Sequence, residues 1–378
     1  MSVTPTDDQD RKDLTDVGAD AFSDNKTGAN AIDYDSKTIN HLVMFAERIN
    51  LLSVVGRDSK RRENAHYISR DTRFLYAIQA ILAPALFTIG PSYSTLQYGF
   101  PDAQTMAYAH NLAAPILGGR YSLEVNMTWL LRNIQFWRHH FLIEDGILRP
   151  AYEGLELKDR PQWWTEKLSQ NAPTLGRHWR GSYAFVNREE MDEIRQGRNT
   201  EEVIIDQLNG EEDPNEAFQS MDLHPGNPAA AWFSAFEEHL HSLTVPLDKS
   251  RTRAQHSAVP TQAQIDFATR ARRFGGGGHD NNENFLADGW LNPLPPQFRI
   301  PGWQRMTMMK FFVDETGIDM DALWAYEGIL LPGGKIMVGR WWCPSDGYGN
   351  DMYSGPFILW NVEQPVQFDE DGDDRGEE

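Results

Sequence analysis

The residues best suited to chemistry lie towards the C-terminal end, in YEGILLPGGKIMVGRWWCPSDGYGNDMYSGPFILW, residues 326–360. Arg340 directly precedes Trp341 and Trp342, and Glu327 stands in a run otherwise free of charge. A guanidinium beside indole rings can hold an anionic or planar group through charge, paired hydrogen bonds and stacking. A glutamate on an apolar background needs a cation, and Arg305, Lys310 and Arg340 lie on runs that could neighbour it. Two readings stay open. One is a salt bridge that ties a sheet together. The other is a basic and aromatic ligand-binding wall built from Arg305, Lys310, Glu327, Arg340, Trp341, Trp342 and Tyr348.

Other candidates are weaker. His239 and His241 in EEHLHS are two apart, so on a helix they point about 200° away from each other, whereas a helical metal pair needs a spacing of three or four. Adjacent His139 and His140 share that defect, and His139 is expected on the polar face beside Arg138. In HDNNEN, His279, Asp280 and Glu283 could face a cation, but a polar linker after four glycines explains them more simply. The glycine run 275–278 follows a helix-like stretch and lacks the Gly-Lys-Ser/Thr ending of a phosphate loop. Cys343, the single cysteine, has aromatic neighbours and no adjacent histidine to activate it. Asp346, Asn350 and Asp351 do not follow the calcium-loop order. The expectation is no catalytic residue, no metal and no cofactor.

The elements that must position these residues change character along the chain. A helix is expected from Ser36, and a second from about Arg61 to Ala83 with Pro84 ending it. In NMTWLLRNIQFWRHHFLIEDG, Leu130, Ile134, Trp137 and Phe141 make one apolar helical stripe. Beyond Pro173, LGRHWRGSYAFVN alternates with the period of a strand, as QRMTMMKFFVD and GPFILWNV are also read. LWAYEGILL and KIMVGRWW flank Pro-Gly-Gly, which predicts a hairpin with a glycine at positive φ. Two helices interrupt this set. One is capped by Asn227 and buries Trp232, Phe236 and Leu240; the other runs from Thr261 to Phe274. On the hairpin strand, Trp341 shares parity with Met337 and Gly339, while Trp342 shares it with Val338, so one indole enters the core and the other does not. Both faces are apolar, and which indole enters stays open.

The expected class is α+β: an N-terminal helical layer packed with a C-terminal antiparallel β-barrel or strongly curved sheet carrying inserted helices. The expected division is an acidic tail over 1–33, a helical region over 34–172, the barrel-like part over 173–362 with an acidic loop at 199–216 and a Gly-rich linker at 275–284, and a second acidic tail over 363–378. The net charge of −20 belongs mostly to the tails and that loop. The stretch 199–216 has seven acids and no base, and no basic face suggests nucleic acid as a partner. No apolar run of about 20 residues suggests a membrane span. With no signal-like N-terminus and one cysteine, the expected location is cytoplasmic or nuclear.

Several motifs carry a resemblance. DYDSKTINHLVMFAERINLLS, HYISRDTRFLYAIQAILAPALFTIGP, LGRHWRGSYAF, GWLNPLPPQFRIPGWQRMTMMKFF and the hairpin with its closing strand, over residues 33–362, look like a family of intracellular fungal proteins. HWRGSY, LPGGKI and GRWWCPSDGYGNDMYSGPFILW are also similar to the β-barrel substrate domain of F-box proteins of the cyclin-D1-binding type. There Gly181 and Tyr183 would lie on the opening strand, and Gly339, Pro344, Gly355, Phe357, Ile358 and Leu359 on the closing pair. The Leu-Pro start of an F-box is absent before residue 150. The resemblance implies a barrel that presents a protein or peptide to a ubiquitin ligase. The expected function is therefore non-catalytic recognition of a peptide or protein partner. The alternative is a lipocalin-like barrel, binding or isomerising a small apolar ligand.

Overall fold

The computed structural model describes residues 70–87, 93–119, 122–143, 146, 148–164, 168, 174–197, 204–208, 217–229, 231–241, 270–280, 283–315, 317–344 and 352–362. The expected helix from Ser36, the first part of the second helix, both acidic tails and Tyr348 lie outside them.

Eight strands form the C-terminal part: β1 His178–Phe185, β2 Gln219–Pro225, β3 Arg272–Asp280, β4 Glu283–Pro293, β5 Gln304–Phe311, β6 Trp324–Leu330, β7 Ile336–Trp342 and β8 Ser354–Val362. Each pairs antiparallel with the next in chain order, and β8 returns to pair with β1, Phe357 opposite Tyr183 and Val362 opposite His178. The sheet is thus a closed up-and-down barrel with no free edge. The expected fold class holds, with the barrel and not merely a curved sheet. Gly333 and Gly334 both take positive φ in the β6–β7 turn, as Pro-Gly-Gly predicts.

The helix expected to be capped by Asn227 starts instead at Ser234, with Phe233 at its N-cap and Trp232 only partly buried ahead of it. Two further expected elements are replaced. The end of the run expected as helix from Thr261 to Phe274 is strand instead: β3 starts at Arg272, with residues 275–278 at its middle, and residues 261–269 lie outside the described residues. Glycine is tolerated there because the neighbouring strands fill the space that its side chain would need. A Cβ on Gly278 would overlap the Phe285 ring and the Ser220 carbonyl, and one on Gly276 the Asp222 carbonyl. The other is β4, whose Phe285, Ala287 and Leu291 alternate as core residues in a segment expected to begin as linker.

The helices α1 Arg70–Ile81, α2 Ala83–Leu86, α3 Tyr93–Tyr108, α4 Met127–Leu142, α5 Leu148–Gly154, α6 Arg188–Gln196 and α7 Ser234–Leu240 cover or extend the barrel. Asn126 caps α4 by accepting from the Trp129 N–H at 3.1 Å. Leu130, Ile134, Trp137 and Phe141 are fully buried as their spacing predicts, and Arg138, His139 and His140 are largely buried as well. His139 was expected on a polar face. Instead it stacks on Phe100 at 3.7 Å, because α1 and α3 pack on α4 from one side and the barrel wall from the other. Phe141 meets Trp360 of β8 edge-on at 5.9 Å, and the Trp360 indole donates to the Asp159 carbonyl. On another part of the wall, α7 lays Phe236 and Leu240 on Met309, Phe311, Ala325 and Trp342. Among the described residues no helix is long and apolar enough to cross a membrane.

Candidate functional site

Strand parity decides which side chains can meet. The interior receives Trp179, Met221, Leu223, Phe274, Phe285, Met306, Met308, Tyr326, Leu330, Met337, Trp341, Phe357 and Leu359, all buried in one cluster. Rings and glycines alternate across it. Cβ atoms on Gly328 and Gly339 would press on Phe357, and one on Gly289 on Phe274. At mid-height the barrel is filled by side chains.

One end differs. The C-terminal ends of β1, β3, β5 and β7 and the N-terminal ends of β2, β4, β6 and β8 place Tyr183, Phe185, Phe312, Trp324 and Tyr353 there, each partly exposed. Trp341 is their buried hub. Its ring meets Trp324 at 5.4 Å, Tyr353 at 5.5 Å and Tyr183 at 6.1 Å, all edge-to-face, a favoured arrangement for aromatic quadrupoles. The Trp341 indole donates to the Ala184 carbonyl, and the Tyr353 hydroxyl to the Val186 carbonyl, so both rings are held in place.

Below the rim lies a buried ion pair. The Lys310 ammonium bonds the Asp280 carboxylate, and each side chain is 5% exposed. The ammonium also lies 4.3 Å from the Phe285 ring centroid and 5.7 Å from those of Tyr183 and Phe312. Burial pushes the Tyr183 hydroxyl well above its ordinary range, helped by the charge of Asp280 and a hydrogen bond to it. Tyr326 is raised too, mainly by burial and then by Asp280. Both phenols therefore stay protonated at neutral pH. They can donate a hydrogen bond but are poor bases.

Of the seven residues read as one wall, the six that are described do not come together. Lys310 and Trp341 share the aromatic end. Arg305 and Glu327 point outward from β5 and β6 and pair at 2.6 Å, with Arg305 also donating to the Leu240 and His241 carbonyls at the end of α7. This is the salt-bridge reading, and it adds a helix C-cap. Arg340 also points outward, 2% exposed, beneath the helical layer. Its guanidinium lies 5.6 Å from the Trp129 ring and donates to the Asn111 side chain and the Ala114 carbonyl. Burial lowers its pKa to about 10, the Glu327 charge opposing that shift. Trp342 lies outside the barrel under α7, so Trp341 is the indole that enters. An accessible wall made by Arg305, Arg340 and Trp342 is corrected to three buried structural contacts. The cation reading of His279, Asp280 and Glu283 also dissolves, since His279 faces outward towards Asn284 and Asp280 inward to Lys310.

Residue types alone did not mark Phe185, Asp280, Phe312, Trp324 and Tyr353 as neighbours. Their shared signal is position: each stands at a strand end or next to one, on the same side of the meander. No family model, no curated protein and no solved structure matches this chain.

Proposed function

We propose that this protein is a non-catalytic recognition protein that binds a peptide or protein partner at the aromatic end of its barrel. The observation that carries the reading is the ring of five half-buried aromatic side chains over a neutralised Lys310–Asp280 pair. Partly exposed Trp, Tyr and Phe side chains held by neighbouring rings supply contact area at little ordering cost, as interface anchors do. The charges beneath them are already matched, which suits binding more than proton transfer. The likeness to F-box substrate barrels supports the same direction and suggests delivery of the partner to a ubiquitin ligase. The lipocalin-like alternative needs a hollow interior, and Met306, Met308, Met337, Trp341 and Phe357 occupy that space, none more than 3% exposed.

The test is affinity capture from cells, with wild type compared against Phe312→Ala/Trp324→Ala. The expected result is a stoichiometric partner, with or without ligase subunits, that the double variant loses while keeping its melting temperature within a few degrees. Equal recovery by both proteins, or no stoichiometric partner with either, overturns the reading.

A further inference from the structure

Among the described residues, the charge around the barrel differs between its two ends. The connections that leave the aromatic end place Glu189, Asp192, Glu193, Glu283, Asp319 and Asp321 around it, and Glu315 beside them is exposed. Two bases accompany them on α6. Arg188 lies over the Tyr353 ring, and Arg195 is turned onto Ser354 and the Tyr108 carbonyl. The opposite end presents exposed Arg177, Arg270, Arg272 and Arg299, with the half-exposed Asp222 beside Arg177. An apolar surface rimmed mostly by one sign of charge draws in the opposite sign.

A second observation is independent of the rim. The rings at this end already surround one ammonium, that of Lys310, with their negative faces. An incoming cation meets the same ring chemistry and an attractive rim. An incoming carboxylate meets a repulsive rim and could reach Lys310 only by displacing Asp280, leaving that aspartate buried without its partner.

We infer that the partner segment is basic: a stretch of polypeptide carrying Lys or Arg beside an apolar or aromatic anchor, the anchor packing on Phe312 and Trp324 while the cations face the acidic rim. This inference rests on the recognition reading above and names its partner class.

The experiment uses the full-length protein and two pools of short fluorescein-labelled peptides with one shared aromatic anchor. The flanking positions are Lys, Arg and Ser in one pool and Asp, Glu and Ser in the other. Fluorescence anisotropy is read at low and at physiological salt. Expected is binding of the basic pool about tenfold tighter than the acidic pool at low salt, narrowing as salt is added. Asp192→Lys/Asp321→Lys, two exposed charge reversals, should weaken the basic pool about tenfold with the melting temperature unchanged. Phe312→Ala/Trp324→Ala should abolish binding of that pool. Preference for the acidic pool, still lost in the aromatic variant, overturns the charge assignment and leaves recognition at this end standing. Basic-pool binding that ignores the aromatic variant is adsorption to surface charge and overturns the inference. Binding of neither pool removes the recognition reading, and the partner class with it.

Discussion

Glu327 shows how one residue serves the fold while looking like a functional one. Its carboxylate is 12% exposed and matched by Arg305, which reaches past it to two carbonyls ending α7. Removing the acid leaves a buried guanidinium with only those carbonyls. Glu327→Ala should therefore cost about 3 kcal/mol, read as a lower urea midpoint with unchanged slope. Pairing it with Arg305→Met should recover part of that loss, because an apolar pair needs no charge match. A single variant as stable as wild type would show the pair to be dispensable. Arg340 illustrates the opposite lesson. Its place beside two tryptophans in sequence suggested stacking on them, but strand geometry turns it away from Trp341, and the ring it meets is Trp129 of α4.

At the scale of the element, the barrel is built from glycines set against rings. Gly339 and Gly328 lie opposite each other on β7 and β6, and both make room for Phe357 of β8. A Cβ on Gly339 would overlap both that ring and the Glu327 carbonyl oxygen. Gly339→Ala should destabilise by about 3 kcal/mol. Adding Phe357→Leu should restore only the ring's share, since the carbonyl stays where it is; full recovery would mean that the backbone contact is harmless. Strand legibility follows the same physics. The strands β1, β5, β6, β7 and β8 were readable, because aromatic and apolar residues alternate or run continuously and Pro-Gly-Gly marks a turn. The expected linker at β3 failed for a clear reason. Four glycines carry no side-chain period and ordinarily signal a loop. Its pairing comes entirely from β2 and β4 on either side. Met221 and Leu223 alternate with Asp222 and His224 in β2, a signal present in the sequence but too short to stand out.

For the whole molecule, closure and burial set the response to pH. Tyr108, Tyr152, Tyr183 and Tyr326 are all held protonated above the ordinary value of 10.0, in each case chiefly by burial. Unfolding returns them to that value. Above it the unfolded chain binds fewer protons than the folded one, so stability falls as pH rises. Arg340 acts in the other direction. Its pKa drops to about 10 on folding, so from there to its ordinary 12.5 the unfolded chain holds the extra proton and stability gains. Four tyrosines outweigh one arginine. Thermal unfolding should show these groups contributing no slope up to about pH 9 and a net loss above pH 10. Tyrosinate absorbance from these rings should appear only as the fold is lost, and Tyr326→Phe should make the alkaline decline shallower. Free titration of all tyrosines in the folded protein would contradict the burial described above.

Local periodicity alone determined that β1, β5, β6, β7 and β8 are strands, that α4 exists, and that Trp341 and Trp342 face opposite sides of their strand. Such signals depend only on neighbours within a few residues. What lies inside, what is exposed and what meets what were decided by closure, when β8 paired with β1 across almost the whole length of the barrel part. That step put Lys310, Asp280, Tyr183, Trp324 and Tyr353 at one end and sent Arg305, Arg340 and Trp342 under helices, because contacts between distant strands depend on register and curvature that no short stretch of sequence encodes.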